Sequence, residues 1–392
     1  MACNVTASLG VARAPVATAA ATRAAAPSFA GAKVSLTSVA SRAGAPVAAA
    51  PLRAVRGARA AARRSSTRVM AAAGGMNCLI VNTKGGGHAF IGLYLARALM
   101  AKGHKVTLMN DGDEAKLSSK GCYAQYPALA GEGATVCWGN PTDPSTYPAG
   151  DFDVVYDNNG KDIDTCKPLI DTYKGKVQHY VFVSSAGMLK ASDVTPNLTE
   201  DDPRNEKAHY FVEEYLKDEG LPYTVMRPHY IYGEHTVKDC EQWFMDRILR
   251  DRPVPIPAPG TQLTSISHVE DVAEMLALVP GCEAAKGEIF QLCGDKAITF
   301  DGLVQCIAEA AGKTPKIVHY DHAAAGLAKG EGIPFRTGHF FSSNGKAHVK
   351  LGFKGKHTFS GDVKDRIASY IASGRLDKDV DFSADDKIIA NA

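Results

Sequence analysis

The chain has 392 residues, 45% of them hydrophobic, with 44 Lys and Arg against 42 Asp and Glu and a net charge of +2. Residues 1–72 hold nine Arg, one Lys and no acid, so the remaining 34 basic and 42 acidic residues carry a net charge near −8; a nucleic acid would then need a local basic patch, because the global field repels phosphate. No apolar run approaches the length that spans a bilayer, and the nine cysteines, without any C-x-x-C pair, argue for reduced thiols and against a disulfide framework or cysteine zinc site.

Residues 1–72 are too poor in large apolar side chains to bury a core and are expected to be disordered. An Arg- and Ser-bearing leader without acids fits an organelle transit peptide, with Val69-Met70-Ala71 as a plastid-type processing site. The competing reading is a basic RNA-binding tail. Cys78 to Val81 then reads as a buried strand, followed by the turn Gly85-Gly86-Gly87. Ile91, Leu95, Leu99 and Met100 predict a helix stopped by Gly103, and Val106 to Met109 a second strand. Strand, glycine turn, helix and strand in this order open a dinucleotide-binding unit, in which the helix N-terminus meets phosphate.

The candidate cofactor residues follow from that spacing. Gly86 and Gly92 occupy the first and third glycine places, Gly87 extends the turn, and Ala89 holds the middle place, where its methyl obstructs close approach of a pyrophosphate. Asp111 ends the second strand, where an acid receives ribose hydroxyls. Further strands are predicted at 135–138, 153–156, 180–183 and 224–226, with helices beginning near Ile163 and over 206–217. Alternating strands and helices predict an α/β fold with a doubly wound parallel sheet, with ligands at the carboxyl ends of the strands.

Taken together, the glycine turn, Ser184-Ser185-Ala186, Arg227-Pro228-His229-Tyr230-Ile231-Tyr232-Gly233, Ile266-Ser267-His268-Val269-Glu270-Asp271-Val272-Ala273, Gly287-Glu288-Ile289-Phe290 and the 300–311 helix resemble the extended short-chain dehydrogenase/reductase superfamily. That resemblance implies a Rossmann-like main domain over 73–233, and a smaller lobe over 234–376 with segments near Val269 and 300–311 returning to the main domain. An acidic tail over 377–392 is expected to fray. It also implies NAD(P) and a Tyr-x-x-x-Lys pair whose lysine lowers the tyrosine pKa. Counting back from Val212-Glu213-Glu214 puts Asn205 in the tyrosine place and His209 in the lysine place, while Ser185 keeps the serine place. Asparagine cannot titrate, which makes an NAD(P)-dependent epimerase or reductase the alternative function.

A closer resemblance rests on Gly86-Gly87-His88-Ala89, Val136-Cys137-Trp138-Gly139-Asn140-Pro141, Asp157-Asn158-Asn159-Gly160-Lys161-Asp162, Lys238-Asp239-Cys240-Glu241-Gln242-Trp243-Phe244 and Ile317-Val318-His319-Tyr320-Asp321. These are similar to the chloroplast stem-loop-binding proteins of 41 kDa, with the "a" group of plant paralogues the better fit. That resemblance implies an RNA-binding protein of the chloroplast stroma, a Mg²⁺-dependent endoribonuclease acting on stem-loops of plastid mRNA and rRNA. The implied partners are the plastid ribosome and further copies of itself or of a paralogue. A non-catalytic protein stabilising ribosomes or RNA is a second alternative.

By that resemblance the catalytic role falls to Asn140, Asp157 and Asp171, with Asp157 as metal ligand, since Mg²⁺ takes oxygen donors. The plainer reading of Asn140 and Asp157-Asn158-Asn159-Gly160 is turn chemistry. For RNA, Trp243, Arg247 and Arg250 share one helical face, Arg252 follows, and Arg336 stands in an aromatic segment. The cations of 346–357 extend a possible basic patch, and the prolines at 253, 255 and 257 force extended chain.

Overall fold

A computed structural model describes residues 74–83, 88–158, 160–328 and 330–392; the leader and the glycine-turn candidates Gly86 and Gly87 lie outside the described residues. Seven parallel strands form the main sheet: β1 (Asn77–Asn82), β2 (Lys105–Asn110), β3 (Thr135–Trp138), β4 (Val154–Asn158), β5 (His179–Val183), β6 (Tyr223–Pro228) and β7 (Glu288–Leu292). Their spatial order is β7-β6-β5-β4-β1-β2-β3. The order reverses between β1 and β4, so the connections leaving these two strands diverge and open a crevice at their carboxyl ends. The central strands are apolar because helices cover both faces.

Helices α1 (Ala89–Ala101), α2 (Ile163–Tyr173) and α3 (His209–Asp218) connect strands of the sheet. Between β6 and β7 come α4 (Glu241–Ile248) and α5 (Val269–Ala277); α6 (Phe300–Ala310), α7 (Phe359–Ala372) and α8 (Ser383–Ala390) follow. One face of the sheet packs Phe90, Leu93 and Leu99 of α1 with Val272, Met275 and Leu276 of α5. The other packs Leu169 and Ile170 of α2 with Val212 and Leu216 of α3. A reciprocal capping box, Asp162 with Thr165, fixes where α2 begins. Gly103 ends α1 at φ 86°, a left-handed conformation suited to glycine.

A separate core gathers α4, α6 and α7 through Phe244, Met245, Phe300, Leu303, Val304, Phe359 and Val363. The proline-alternating segment is extended as anticipated, Val254–Pro257 pairing in parallel with Ile317–Tyr320. Two expectations are corrected. Near Val269 the chain does return to the main sheet, but the 300–310 helix belongs to the second core, because its apolar face meets α4 and α7. The tail does not fray: α8 docks there, and Asp385 is buried because Arg247 neutralises it. The described cysteines are all free thiols. Among the described residues no helix is long and apolar enough to cross a membrane.

Candidate nucleotide and nucleic-acid site

The crevice floor is built from amides. Tyr126 OH donates to Asn110 Oδ1 at 2.9 Å and accepts from Asn82 Nδ2 at 3.1 Å, while Asn158 Nδ2 donates to Asn82 Oδ1 at 2.6 Å and to His88 O at 3.0 Å. Three asparagines at the ends of β2, β1 and β4 thus tie the switch point together without charge. Gly92 is needed for the same junction, since an added Cβ would overlap the Asn82 carboxamide. The Asn82, Asn110 and Asn158 set escaped sequence reasoning; its signal is an Asn one or two residues beyond each of three predicted strands.

To one side lies a small cleft of about 70 Å³ lined by Thr83, Asp111, Asn140, Pro141, Lys161 and Thr165. Its place beyond β2 and β3, with a carboxylate on the wall, is where folds of this type receive the adenosine half of a dinucleotide. Asn140 is exposed, and its Oδ1 accepts from Thr142 N at 3.0 Å and Thr142 Oγ1 at 2.8 Å, a turn-building role. Ala89 is buried at the first turn of α1.

On the other side a pocket of about 210 Å³ is lined by His88, Phe90, Ser184, Ser185, Tyr230, Lys238, Arg336 and Phe340, among others, and among the described residues no carboxylate lines it. The Arg336 guanidinium lies 4.1 Å from the Phe340 ring and donates to the carbonyls of Leu189, at 3.1 Å, and Gly187. These acceptors are neutral, so the charge of Arg336 is not cancelled. Burial and the neighbouring Lys238 charge lower the His88 pKa to about 4, so this imidazole is neutral at physiological pH.

A buried ion pair supports this wall. Arg227 Nη2 and Nε reach the two Glu213 oxygens at 2.6 and 3.0 Å; Ser184 Oγ donates to the same carboxylate at 2.7 Å and Arg204 Nη1 at 2.9 Å. Two of the proton-relay positions make local backbone contacts. Asn205 Nδ2 donates to Met188 O at 3.2 Å, and Ser185 Oγ accepts from Gly187 N at 3.1 Å. Tyr230 does line the pocket, but its hydroxyl accepts from Arg336 N–H at 2.9 Å and burial raises its pKa, the opposite of a poised base.

The three hydrolytic candidates stand in three environments. Asp157 is 1% exposed under α2, accepting from Gly160 N at 2.9 Å and Tyr180 OH at 3.2 Å. Asp171 lies near the far end of α2, about 12 Å along the axis from its start, paired with Lys167 and accepting from Tyr215 OH. Because α2 runs back antiparallel to the strands, Asp171 points away from the crevice that Asn140 borders. The set does not converge as a Mg²⁺ site requires.

The RNA candidates on α4 are corrected as well. Trp243 and Arg247 are buried, Arg247 held by Asp385 at 2.8 Å and stacked on Trp243 at 3.5 Å. Arg250 donates to Tyr370 OH at 2.9 Å and to the carbonyls of Arg375, Leu376 and Lys378, and Arg252 pairs with Asp386. The face that helical spacing predicts exists, but it packs inward against α7 and the C-terminal segment. The 346–357 patch is likewise neutralised in part, with Lys346 and Lys350 both on Glu288, while His348 Nε2 lies 2.9 Å from Asp295 Oδ1. Arg336 alone of the RNA candidates lines the pocket.

A crevice of this form at the switch point of a 3-2-1-4-5-6-7 parallel sheet defines a Rossmann-like, dinucleotide-binding type of fold. Residues 86–242 match an NAD(P)H-binding family model. Solved structures with this fold include UDP-glucose 4-epimerase from Thermotoga maritima, 20% identical with a TM-score of 0.59, covering 76% of this chain and 99% of that one. UDP-glucuronic acid 4-epimerase from Bacillus cereus, 17% identical with a TM-score of 0.58, covers 75% and 99%. The chloroplast stem-loop binding protein of 41 kDa b of Arabidopsis thaliana is 35% identical over 327 residues, 78% of this chain and 83% of that protein. The chain belongs to the family of the chloroplast stem-loop-binding proteins of 41 kDa.

Proposed function

We propose that this chain is a chloroplast RNA-binding protein that holds stem-loop RNA at the pocket beside β5 and β6. The carrying observation is a wall with Lys238, Arg336, Phe90, Tyr230 and Phe340 and, among the described residues, no carboxylate. Cations receive phosphates there, and aromatic faces or the Arg336 plane receive an unstacked loop base. Supporting it, the relative named for stem-loop binding is 35% identical, and Asn205 replaces the titratable group that carbonyl chemistry needs.

The finer form of the reading adds Mg²⁺-dependent cleavage of plastid mRNA and rRNA in the stroma, on ribosomes and in assembly with itself or a paralogue. No hydrolytic step is routed through Asn140, Asp157 and Asp171 together, since they do not converge. The test incubates the protein with a labelled stem-loop RNA, with and without Mg²⁺. The expected result is retention in both, weakening as salt rises, with Mg²⁺ needed only for cutting. Retention no better than for an unrelated duplex overturns the reading.

A second reading, NAD(P) binding, is favoured by the cleft around Asp111 and the NAD(P)H-binding match. It predicts quenching of protein fluorescence by NADPH without turnover of a sugar nucleotide.

A further inference from the structure

Away from both clefts, two imidazoles and a carboxylate meet where the segment before α7 crosses the start of α5. The His268 and His357 rings stack with centroids 3.9 Å apart and planes at 19°. His357 Nε2 lies 3.2 Å from Glu270 Oε2, and its Nδ1 lies 3.2 Å from Asp362 Oδ2, which also accepts from Tyr232 OH at 2.6 Å. One ligand atom each from His268, Glu270 and His357 fall within 4.8 Å of one another. The backbone is fixed independently: buried Asp271 accepts from Lys356 N and His357 N, both at 3.1 Å.

We propose that His268, Glu270 and His357 form a binding site for a divalent transition metal, zinc foremost, with Asp362 orienting His357 from outside the coordination sphere. Two nitrogens and one oxygen suit zinc, whereas Mg²⁺ and Ca²⁺ select oxygen-only sets. A tetrahedral ion with bonds of about 2.0–2.1 Å places neighbouring ligand atoms roughly 3.3 Å apart. The His357 and Glu270 pair already has that spacing. A carboxylate on the far nitrogen of a ligating histidine is the usual outer partner, and Asp362 occupies that place. The two rings stack nearly parallel, so their in-plane lone pairs do not yet meet at one point. Ligation turns the His268 ring out of the stack, and the tie it gives up is a long hydrogen bond, Nδ1 accepting from Glu270 N–H at 3.3 Å. Three protein ligands leave a fourth position for water. The ion ties α5, which packs on the main sheet, to the entry of α7 in the second core.

The proposal is independent of RNA binding and is tested without RNA. Chelator-stripped full-length protein is titrated with zinc against a chromophoric chelator and, separately, with cobalt while its visible absorption is recorded. The expected result is one zinc per chain and a four-coordinate cobalt spectrum. Glu270→Gln and His357→Gln should each weaken binding about 100-fold, and Asp362→Asn about 10–100-fold. Glu270 is exposed, so its variant folds independently of the outcome, as circular dichroism will confirm. Native protein binding less than half an equivalent, or full affinity in Glu270→Gln and His357→Gln, overturns the site.

Discussion

Arg247 and Arg336 each lie over an aromatic ring, at 3.5 Å from Trp243 and 4.1 Å from Phe340. Arg247 is buried against the Asp385 carboxylate, whereas Arg336 leans on neutral carbonyls at a pocket wall. The local motif is the same, but charge compensation separates a structural arginine from one available to an anion. A carboxylate close by turns the pair into a clasp for α8. Its absence leaves the Arg336 charge uncompensated at the pocket wall.

The comparison is broken most strongly at Asp385. Asp385→Ala strands the buried Arg247 charge, and urea unfolding should show a loss of about 3–5 kcal/mol with RNA retention unchanged below the transition. The reciprocal change, Arg336→Ala, should weaken stem-loop binding by about 1–3 kcal/mol in a filter assay, with far less effect on unfolding. If Arg336→Ala leaves affinity intact, the distinction fails.

Asp157 sharpens the contrast as a buried carboxylate with neutral donors only. Burial raises its pKa to about 6, against help from Cys166, Gly160 and Tyr180. Its folded pKa lies above the unfolded one, so this group contributes stability that is fully present below about pH 4 and lost as pH rises through 6. The unfolding free energy of Asp157→Asn should therefore gain on the native protein between pH 4 and 7, by about 1–3 kcal/mol. A flat difference across that window would show Asp157 to be ordinarily ionised. The smallest effect concerns Lys238. Lys238→Ala should reduce the slope of log affinity against log salt by about 1, and the His88 resonance should titrate higher, since a neighbouring positive charge is removed.

Much of the scaffold was legible because it depends on short-range pattern. Buried apolar runs at 78–81, 106–109 and 180–183 fall within strands of the parallel sheet, and Asp162 with Thr165 begins a helix by its own hydrogen bonds. The candidate site was less legible. Spacing put Trp243, Arg247 and Arg250 on one face but could not say which way it points; the acids that claim the arginines, Asp385 and Asp386, lie 138 and 134 residues away from Arg247 and Arg252. Asp171 was misleading for a related reason, as a helix leaving a strand end carries its later residues away from the crevice.

By itself the sequence determined the strand and helix order, the dinucleotide-type opening and the family, because these reside in residue types at fixed spacing. The tertiary structure alone decided which cations face a pocket, that Asp157 is sealed beneath α2, and that His268 and His357 stack beside Glu270. Neutralisation and convergence depend on distances between residues far apart in the chain, and no local pattern encodes those distances.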